Sequence, residues 1–175
     1  AQYGRVFAHL AYNTQHTSQN VDYVLRNTGF TTLDLRRVYV LSGARTCSAA
    51  ELVINGLRPF VDVVQVGGTS CGKPYGFNPV QSCGRAWNVV NFQASNSAGV
   101  GNYTAGLAPT GPATDDFDHA LGNPAEAVTA QALALVDGAA CPAVAATTAQ
   151  PLATTRPLTR RLRPDGDPAW ATQMR

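Results

Sequence analysis

Hydrophobic and polar positions alternate along several short segments of the chain. Residues 5–12 alternate in this way and are rich in Val, Phe, Leu and Tyr, which predicts a β-strand. Residues 37–41 and 61–66 are mostly β-branched or aromatic and predict two more strands. Between them, residues 48–57 place apolar side chains at helical spacing on one face, and Pro59 ends the predicted helix. This strand–helix–strand order is typical of a βαβ unit with parallel strands.

Further elements are predicted on either side of this unit. Residues 21–25 and 87–93 have the composition of strands. A helix is predicted over residues 123–137, with Asn123 as the N-cap, a proline at the first position and Glu126 at the third. The sequence therefore predicts an α/β fold, with a mixed, partly parallel sheet that carries the βαβ unit and is flanked by helices.

Length and composition indicate one core domain followed by a tail of different composition. The chain has 175 residues, of which 45% are hydrophobic and 14% are charged, and its net charge is +2. This charge is too mild to suggest a nucleic-acid partner, and no segment approaches the ~20 apolar residues needed to span a bilayer. We expect one core domain over residues 1–142. Residues 143–175 are rich in Ala, Thr, Pro and Arg and are interpreted as a linker or flexible tail, whose arginines are solvated or in weak contact with an anionic surface.

The four cysteines suggest a disulfide more than a metal site. The sequence contains no CxxC pair and no Cys/His cluster at zinc spacing, so no structural metal is expected. Cys71 and Cys83 flank a turn rich in Gly and Pro, and we predict that they are bonded to each other, which implies an exported protein. Four free thiols remain the alternative.

Lys73 is the sole lysine among 13 basic residues, and it follows the second predicted strand of the βαβ unit in a glycine-rich loop. Arginine supplies charge as well as lysine does, but it cannot give up its proton. The loop nearly matches the phosphate-binding pattern GxxxxGK[ST]. Pro74 follows the lysine, however, so both the hydroxyl that would bind Mg²⁺ and the helix start that would face the phosphates are missing.

Ser48 lies where the first strand of the unit gives way to the helix. The N–H groups at a helix N-terminus stabilise a developing anion, and the carboxyl ends of parallel strands are where active sites lie in such sheets. Ser48 and Glu51 also form the Ser-x-x-Glu pattern of a capping box, so a purely structural role stays open. The loops that carry Ser48 and Lys73 should be neighbours. A neutral lysine can then activate the serine, and Glu51 can orient the amine without pairing tightly with it.

Three segments together resemble the C-terminal processing (tail-specific) peptidases. They are residues 38–41 (VYVL), 46–57 (TCSAAELVINGL) and 66–74 (VGGTSCGKP). The signature of that family is a Thr-Ala-Ser-Ala-Ser-Glu-like stretch with a Gly-Lys about 25 positions after the nucleophilic serine. Ser48 and Lys73 are 25 positions apart. Residues 115–126 also resemble a bacterial subgroup of the family.

The resemblance implies a serine endopeptidase with a Ser48–Lys73 dyad. It implies protein or peptide substrates with exposed C-terminal regions, no cofactor, and an exported location that is periplasmic, outer-membrane-associated or secreted. The chain departs from the family pattern at Ala50, where the signature has its second serine, and at Pro59, where some members have an acidic residue. The family also has a PDZ domain and a glycine-rich oxyanion segment upstream, so we interpret the chain as the carboxyl-terminal part of a longer enzyme.

The leading hypothesis assigns Ser48 as nucleophile, Lys73 as general base, Glu51 as orienting group and the Ala49 N–H as one oxyanion donor. The isolated fragment should be inactive. The rival hypothesis is a non-catalytic peptide-binding or structural relative of the same fold. Two weaker candidates are a Cys47 thiol nucleophile served by a histidine and a metal site near His119. The residues that these candidates would use are His9, His16, His119, Asp115, Asp116 and Asp118.

Overall fold

The computed structural model describes residues 2–29 and 33–141. Its elements are the strands β1 (Val6–Tyr12), β2 (Val21–Val24), β3 (Arg37–Ser42), β4 (Asp62–Gly67), β5 (Tyr75–Gly76), β6 (Val80–Ser82), β7 (Arg85–Trp87), β8 (Phe92–Asn96) and β9 (Gly111–Pro112), and the helices α1 (Ala49–Leu57) and α2 (Ala127–Val136). A short 3₁₀ turn covers Thr17–Gln19.

The strands form a parallel sheet and an antiparallel sheet. The parallel sheet has the order β3-β4-β9, and α1 connects β3 to β4. The antiparallel sheet has the order β2-β1-β8-β5, and β6 pairs only with β7 in a hairpin. The predicted α/β class and the parallel βαβ unit are confirmed, with the parallel and antiparallel strands in separate sheets.

Strand β4 is the centre of the core because both of its faces are covered. Val64 and Val66 point to one face and pack against Val128 and Leu135 of α2. Val63 points to the opposite face, towards a cluster that contains Ile54 of α1. The alternation of side chains along a strand explains why consecutive valines serve two different clusters.

Helix α1 lies between the parallel and the antiparallel sheet. On its antiparallel side, a Cβ atom on Gly56 would come within 2.6 Å of the Phe7 ring of β1, so only glycine allows this approach. Buried amides reinforce the contact: Asn96 Nδ2 donates to the Asn55 carbonyl at 3.0 Å, and Asn55 Nδ2 donates to the Val100 carbonyl at 2.7 Å. The position of α1, and with it the Ser48 turn, is therefore fixed from two sides.

Two predicted elements have different bounds in the structure. Helix α2 begins at Ala127, not at residue 124, because Glu126 is the N-cap and its carboxylate accepts hydrogen bonds from the N–H groups of Val128 and Thr129. The strand predicted over residues 87–93 is interrupted at residues 88–91, between β7 and β8. The proposed tail, residues 143–175, lies outside the described residues.

The hairpin β6–β7 projects from the sheets. Every residue from 78 to 90 is exposed. Its two-residue turn is formed by Cys83 and Gly84 with φ values of 51° and 70°, the positive values that a tight hairpin turn requires. Neither helix in the described part of the chain is long and apolar enough to cross a membrane.

Candidate active site

The two candidate loops leave the parallel sheet side by side. Strands β3 and β4 are paired in parallel up to Ser42 and Gly67, so the loops that follow them begin at the same edge. The Gly68 N–H donates to the Ser42 carbonyl at 2.8 Å, and the Cys71 N–H donates to the Thr46 carbonyl at 2.9 Å. These hydrogen bonds join the loop that leads to Ser48 to the loop that leads to Lys73.

Ser48 has a backbone conformation unlike that of an ordinary helix cap. Its φ is 56° and its ψ is −112°, whereas an N-cap residue normally has an extended conformation with negative φ. A non-glycine residue with positive φ is strained, and such strain clusters at functional sites. The residue is half-buried, and the Ala49 N–H that follows it has no hydrogen-bond acceptor among the described residues.

Glu51 is fully buried on the first turn of α1, and its carboxylate contacts both loops. Oε2 accepts hydrogen bonds from the N–H groups of Ser48 at 2.9 Å and Lys73 at 2.8 Å. Oε1 accepts from the Gly72 N–H at 2.7 Å and from the Ser70 hydroxyl at 2.5 Å. The Glu51 half of the capping box is thus formed, but the same carboxylate also holds the lysine loop by its backbone.

These donors stabilise the charged form of Glu51. Burial alone would raise the pKa of its carboxyl, but the hydrogen bonds from Ser70, Lys73, Gly72 and Ser48 outweigh burial and hold that pKa below its ordinary value. Burial, together with the negative charge of Glu51, raises the pKa of Tyr103 to about 12. The site therefore holds a buried anion beside a neutral phenol.

Lys73 is held through its backbone, and its side chain is exposed. Nζ lies 5.7 Å from the centre of the Phe77 ring, within range of a cation–π contact. Within residues 2–29 and 33–141, no hydrogen bond joins Nζ to the Ser48 hydroxyl, and no ion pair joins it to Glu51. The structure therefore brings the two loops together without a direct contact between the candidate nucleophile and base.

The disulfide prediction is wrong in its pairing. Cys71 is bonded to Cys47, with a Cα–Cα distance of 5.1 Å, while Cys83 is an exposed free thiol at the hairpin tip. The bond links the residue before Ser48 to a residue two positions before Lys73. The parallel pairing of β3 and β4 could have indicated this bond, because it places the loops that carry Cys47 and Cys71 side by side. Cys83, at the tip of the hairpin, is not brought to Cys71 in the same way.

The disulfide also excludes the thiol nucleophile, since a bonded Cys47 has no thiolate to attack with. Cys47, Glu51 and Cys71 are the one group in the described residues whose atoms lie close enough together to hold a metal ion. The two sulfur atoms are bonded to each other, however, and cannot act as thiolate ligands.

The acidic segment near His119 is organised by its own hydrogen bonds. Asp116 accepts from the Asp118 N–H at 2.8 Å and contacts His119 Nδ1 at 2.8 Å. This segment lines an open cavity of about 450 Å³ whose other wall includes Gly43 and Thr46. The cavity therefore borders the loop that leads to Ser48.

Ser70 is the residue of the site that sequence reasoning missed. It lies in the lysine loop, is 6% exposed, and bonds to the Glu51 carboxylate. The sequence does show a serine between Gly68 and Gly72. Its hydroxyl points inward because it is bonded to Leu107, however, and that contact is distant in the sequence.

No family model matches the sequence, and neither does any curated protein. Solved structures do match. One is the "Putative S41 protease" from Bacteroides fragilis, with a TM-score of 0.72 and 27% identity over 78% of this chain. The photosystem II D1 C-terminal processing protease has a TM-score of 0.50 and 20% identity, over 64% of this chain.

The chain spans 38% of the length of the Bacteroides protein and 28% of the length of the D1 processing protease. Over that part it has the fold of a C-terminal processing peptidase, as the resemblance of residues 38–74 implies. The segments that carry this resemblance are the β3–α1–β4 unit and the two loops at its carboxyl edge.

Proposed function

We propose that the protein is the catalytic part of a serine endopeptidase that acts on exposed C-terminal regions of other proteins. The observation that carries the proposal is the backbone of Ser48, strained at the start of a helix and hydrogen-bonded to the same carboxylate as the backbone of Lys73. The likeness to the Bacteroides protein supports a peptidase of the S41 class.

In the proposed reaction, Ser48 Oγ attacks the carbonyl carbon of the scissile peptide bond while the neutral Lys73 amine takes its proton. The Ala49 N–H stabilises the negative charge on the carbonyl oxygen. The intermediate then expels the amine product, which takes the proton from Lys73, and water hydrolyses the acyl-enzyme. Glu51 orients the site by holding the backbones of both dyad residues.

Lys73 must lose its proton to act as a base, and burial of a lysine favours the neutral form. The amine is exposed in this structure, so the proposal requires that substrate or a further part of the protein covers it. Phe77 and the buried Pro74 provide apolar surface around the lysine. The exported location belongs to the same proposal, because the Cys47–Cys71 disulfide requires an oxidising compartment.

The test uses the full gene product that contains residues 1–175, together with unstructured peptides with apolar C-termini. Ser48→Ala should reduce cleavage by at least about a thousandfold, because the nucleophile is removed. Ser18→Ala, an exposed serine on the 3₁₀ turn, is the matched control and should leave the rate unchanged. Cleavage by Ser48→Ala at the wild-type rate would show that another residue is the nucleophile.

The second candidate is a peptide-binding relative without catalysis, and the exposed Lys73 amine without a contact to Ser48 favours it. The two functions differ in one measurement. A binding protein should retain peptides intact over days, as followed by mass spectrometry, and Ser48→Ala should not change their affinity. A peptidase should release two products from each peptide.

A further inference from the structure

Ser70 is buried in the loop that leads to Lys73, where it contacts Leu107, a residue 37 positions away in the sequence. Its N–H donates to the Leu107 carbonyl at 3.1 Å, and its hydroxyl oxygen accepts from the Leu107 N–H at 2.7 Å. Two hydrogen bonds, one to the backbone and one to the side chain of Ser70, thus join the two residues. Gly106 beside them has a φ of 88°, and a Cβ there would lie 2.2 Å from the Ser70 carbonyl oxygen, so the approach is close.

The hydroxyl proton of Ser70 has one hydrogen-bond acceptor, the Glu51 carboxylate. A serine hydroxyl has a single proton, and its oxygen already accepts the hydrogen bond from Leu107. The proton is donated to Oε1 of Glu51 at 2.5 Å. Ser70 therefore holds Oε1 of the Glu51 carboxylate from the loop that leads to Lys73.

The Glu51 carboxylate in turn holds the backbone of both loops, the one that leads to Ser48 and the one that leads to Lys73. Its three other donors are the backbone N–H groups of Ser48, Gly72 and Lys73, at 2.7–2.9 Å. A rotation of the carboxylate would break contacts to both loops together, because each oxygen has two donors. Ser70 is the one side-chain hydroxyl among these four donors, so it can be changed without altering the backbone that it orders.

We propose that Ser70 is a positioning residue for the reaction, acting through Glu51 on the backbones of Ser48 and Lys73. This inference rests on the proposed function and deepens it. Within the described residues, the hydrogen bonds of Ser70 go to Glu51 and Leu107, and none goes to the Ser48 hydroxyl or to Lys73 Nζ. Through Glu51, Ser70 holds the backbones of Ser48 and Lys73 at a fixed separation. The rate of an acyl transfer depends steeply on such positioning.

The first test follows amide hydrogen exchange by NMR in the wild type, Ser70→Ala and Ser70→Thr. Loss of one hydrogen bond to a charged group should speed exchange at Ser48, Gly72 and Lys73 by about tenfold to a hundredfold in the alanine variant. The threonine variant keeps the hydroxyl and should exchange as the wild type does. Amides of α2, including Ala132, should be unaffected in all variants, which separates a local change from a general loss of stability.

Thr69→Ala is the matched control, because Thr69 is the exposed neighbour of Ser70 in the same loop. It should leave exchange at the three amides unchanged. If Ser70→Ala also leaves them unchanged, the proposal is overturned whatever the protein catalyses. If the threonine variant does not fold, the comparison of the alanine variant with Thr69→Ala still decides the matter.

The second test measures peptide cleavage by the protein with its upstream sequence. Ser70→Ala should lower kcat by about tenfold to a hundredfold and leave KM within about twofold, because the groups that touch the substrate are unchanged. A wild-type kcat in Ser70→Ala would overturn the proposal alone. Absence of cleavage by the wild type would instead overturn the proposed function and the catalytic part of this inference with it, while the exchange measurement would still report on the loops.

Discussion

At the residue scale, the proposed mechanism needs a neutral amine on Lys73 and a charged carboxylate on Glu51. A lysine that works as a base must lose its charge, whereas Glu51 is held in its charged form by four hydrogen bonds. The proposed roles are compatible in one respect, because Glu51 accepts a hydrogen bond from the Lys73 N–H and makes no ion pair with its amine among the described residues. A direct carboxylate–ammonium pair would favour the protonated lysine and oppose its role.

Lys73→Arg tests this arrangement without disturbing the fold. Arginine keeps the positive charge and the backbone N–H that binds Glu51, but it cannot act as a base. If the full gene product is the proposed peptidase, we expect its cleavage rate to fall by at least about a hundredfold, with the unfolding transition unchanged. Arg85→Lys, on the exposed hairpin, is the control. Activity of Lys73→Arg within about tenfold of the wild type would exclude the dyad.

Glu51→Gln should destabilise the protein in a pH-dependent way. Glutamine has one acceptor oxygen, and its NH₂ group would face backbone N–H donors, so a loss of roughly 2–5 kcal/mol is expected at pH 7. Because the folded-state pKa of Glu51 is lowered, its charged form adds stability above the ordinary glutamate pKa of about 4.3. That contribution is lost as the pH falls through the folded-state pKa.

The stability difference between wild type and Glu51→Gln should therefore shrink in acid, as measured by urea denaturation from pH 7 to pH 3. Asp137→Asn, at the exposed end of α2, is the control and should change stability little. A difference that stays constant with pH would show that the charge of Glu51 does not contribute.

At the scale of elements, the disulfide joins the two ends of the α1–β4 segment across 24 residues. A bond that closes a loop of this size stabilises the folded state by about 3 kcal/mol. Replacing both Cys47 and Cys71 by alanine should cost about that amount in chemical denaturation. Replacing Cys83 and Cys141 together is the matched control and should cost little, since both are exposed and free. Non-reducing peptide mapping that linked Cys71 to Cys83 would contradict the pairing.

The βαβ unit could be predicted from the sequence because its signals are local. The run of β-branched residues in β4 and the apolar face of α1 each specify their own element, and the parallel pairing follows from their order. The start of α2 could not be placed in the same way. By residue type Asn123 is the favoured N-cap. In the folded protein the buried Glu126 caps the helix instead, a choice made by tertiary packing that the local sequence does not show.

The site was predictable only in part for a similar reason. Ser48, Lys73 and Glu51 stand out by residue type and spacing, so sequence reasoning could single them out. The partners of Glu51 are mostly backbone N–H groups, which every residue has, and Ser70 depends on Leu107, 37 positions away. Tertiary contacts of this kind leave no periodic pattern in a single sequence.

At the scale of the whole molecule, residues 1–175 should not cleave peptides by themselves. The proposed reaction has one assigned oxyanion donor, the Ala49 N–H next to Ser48, and lack of a second donor costs roughly 10²–10³ in rate. The amine of Lys73 is also exposed, whereas its proposed role as a base requires it to be covered. The expected outcome is no detectable cleavage of unstructured peptides with apolar C-termini, and recovery when the upstream sequence is supplied. Robust cleavage by the chain alone that depends on Ser48 would refute this expectation.

The projecting hairpin makes the molecule convenient for site-specific spectroscopy. Cys47 and Cys71 are bonded, so maleimide reagents should react only with Cys83 and Cys141, and a Cys141→Ser variant leaves one attachment point. That point lies at the tip of an arm whose base follows directly from the Lys73 loop through β5. A fluorophore or spin label there should report, in real time and without any cleavage assay, when a peptide or another segment of the protein covers the lysine.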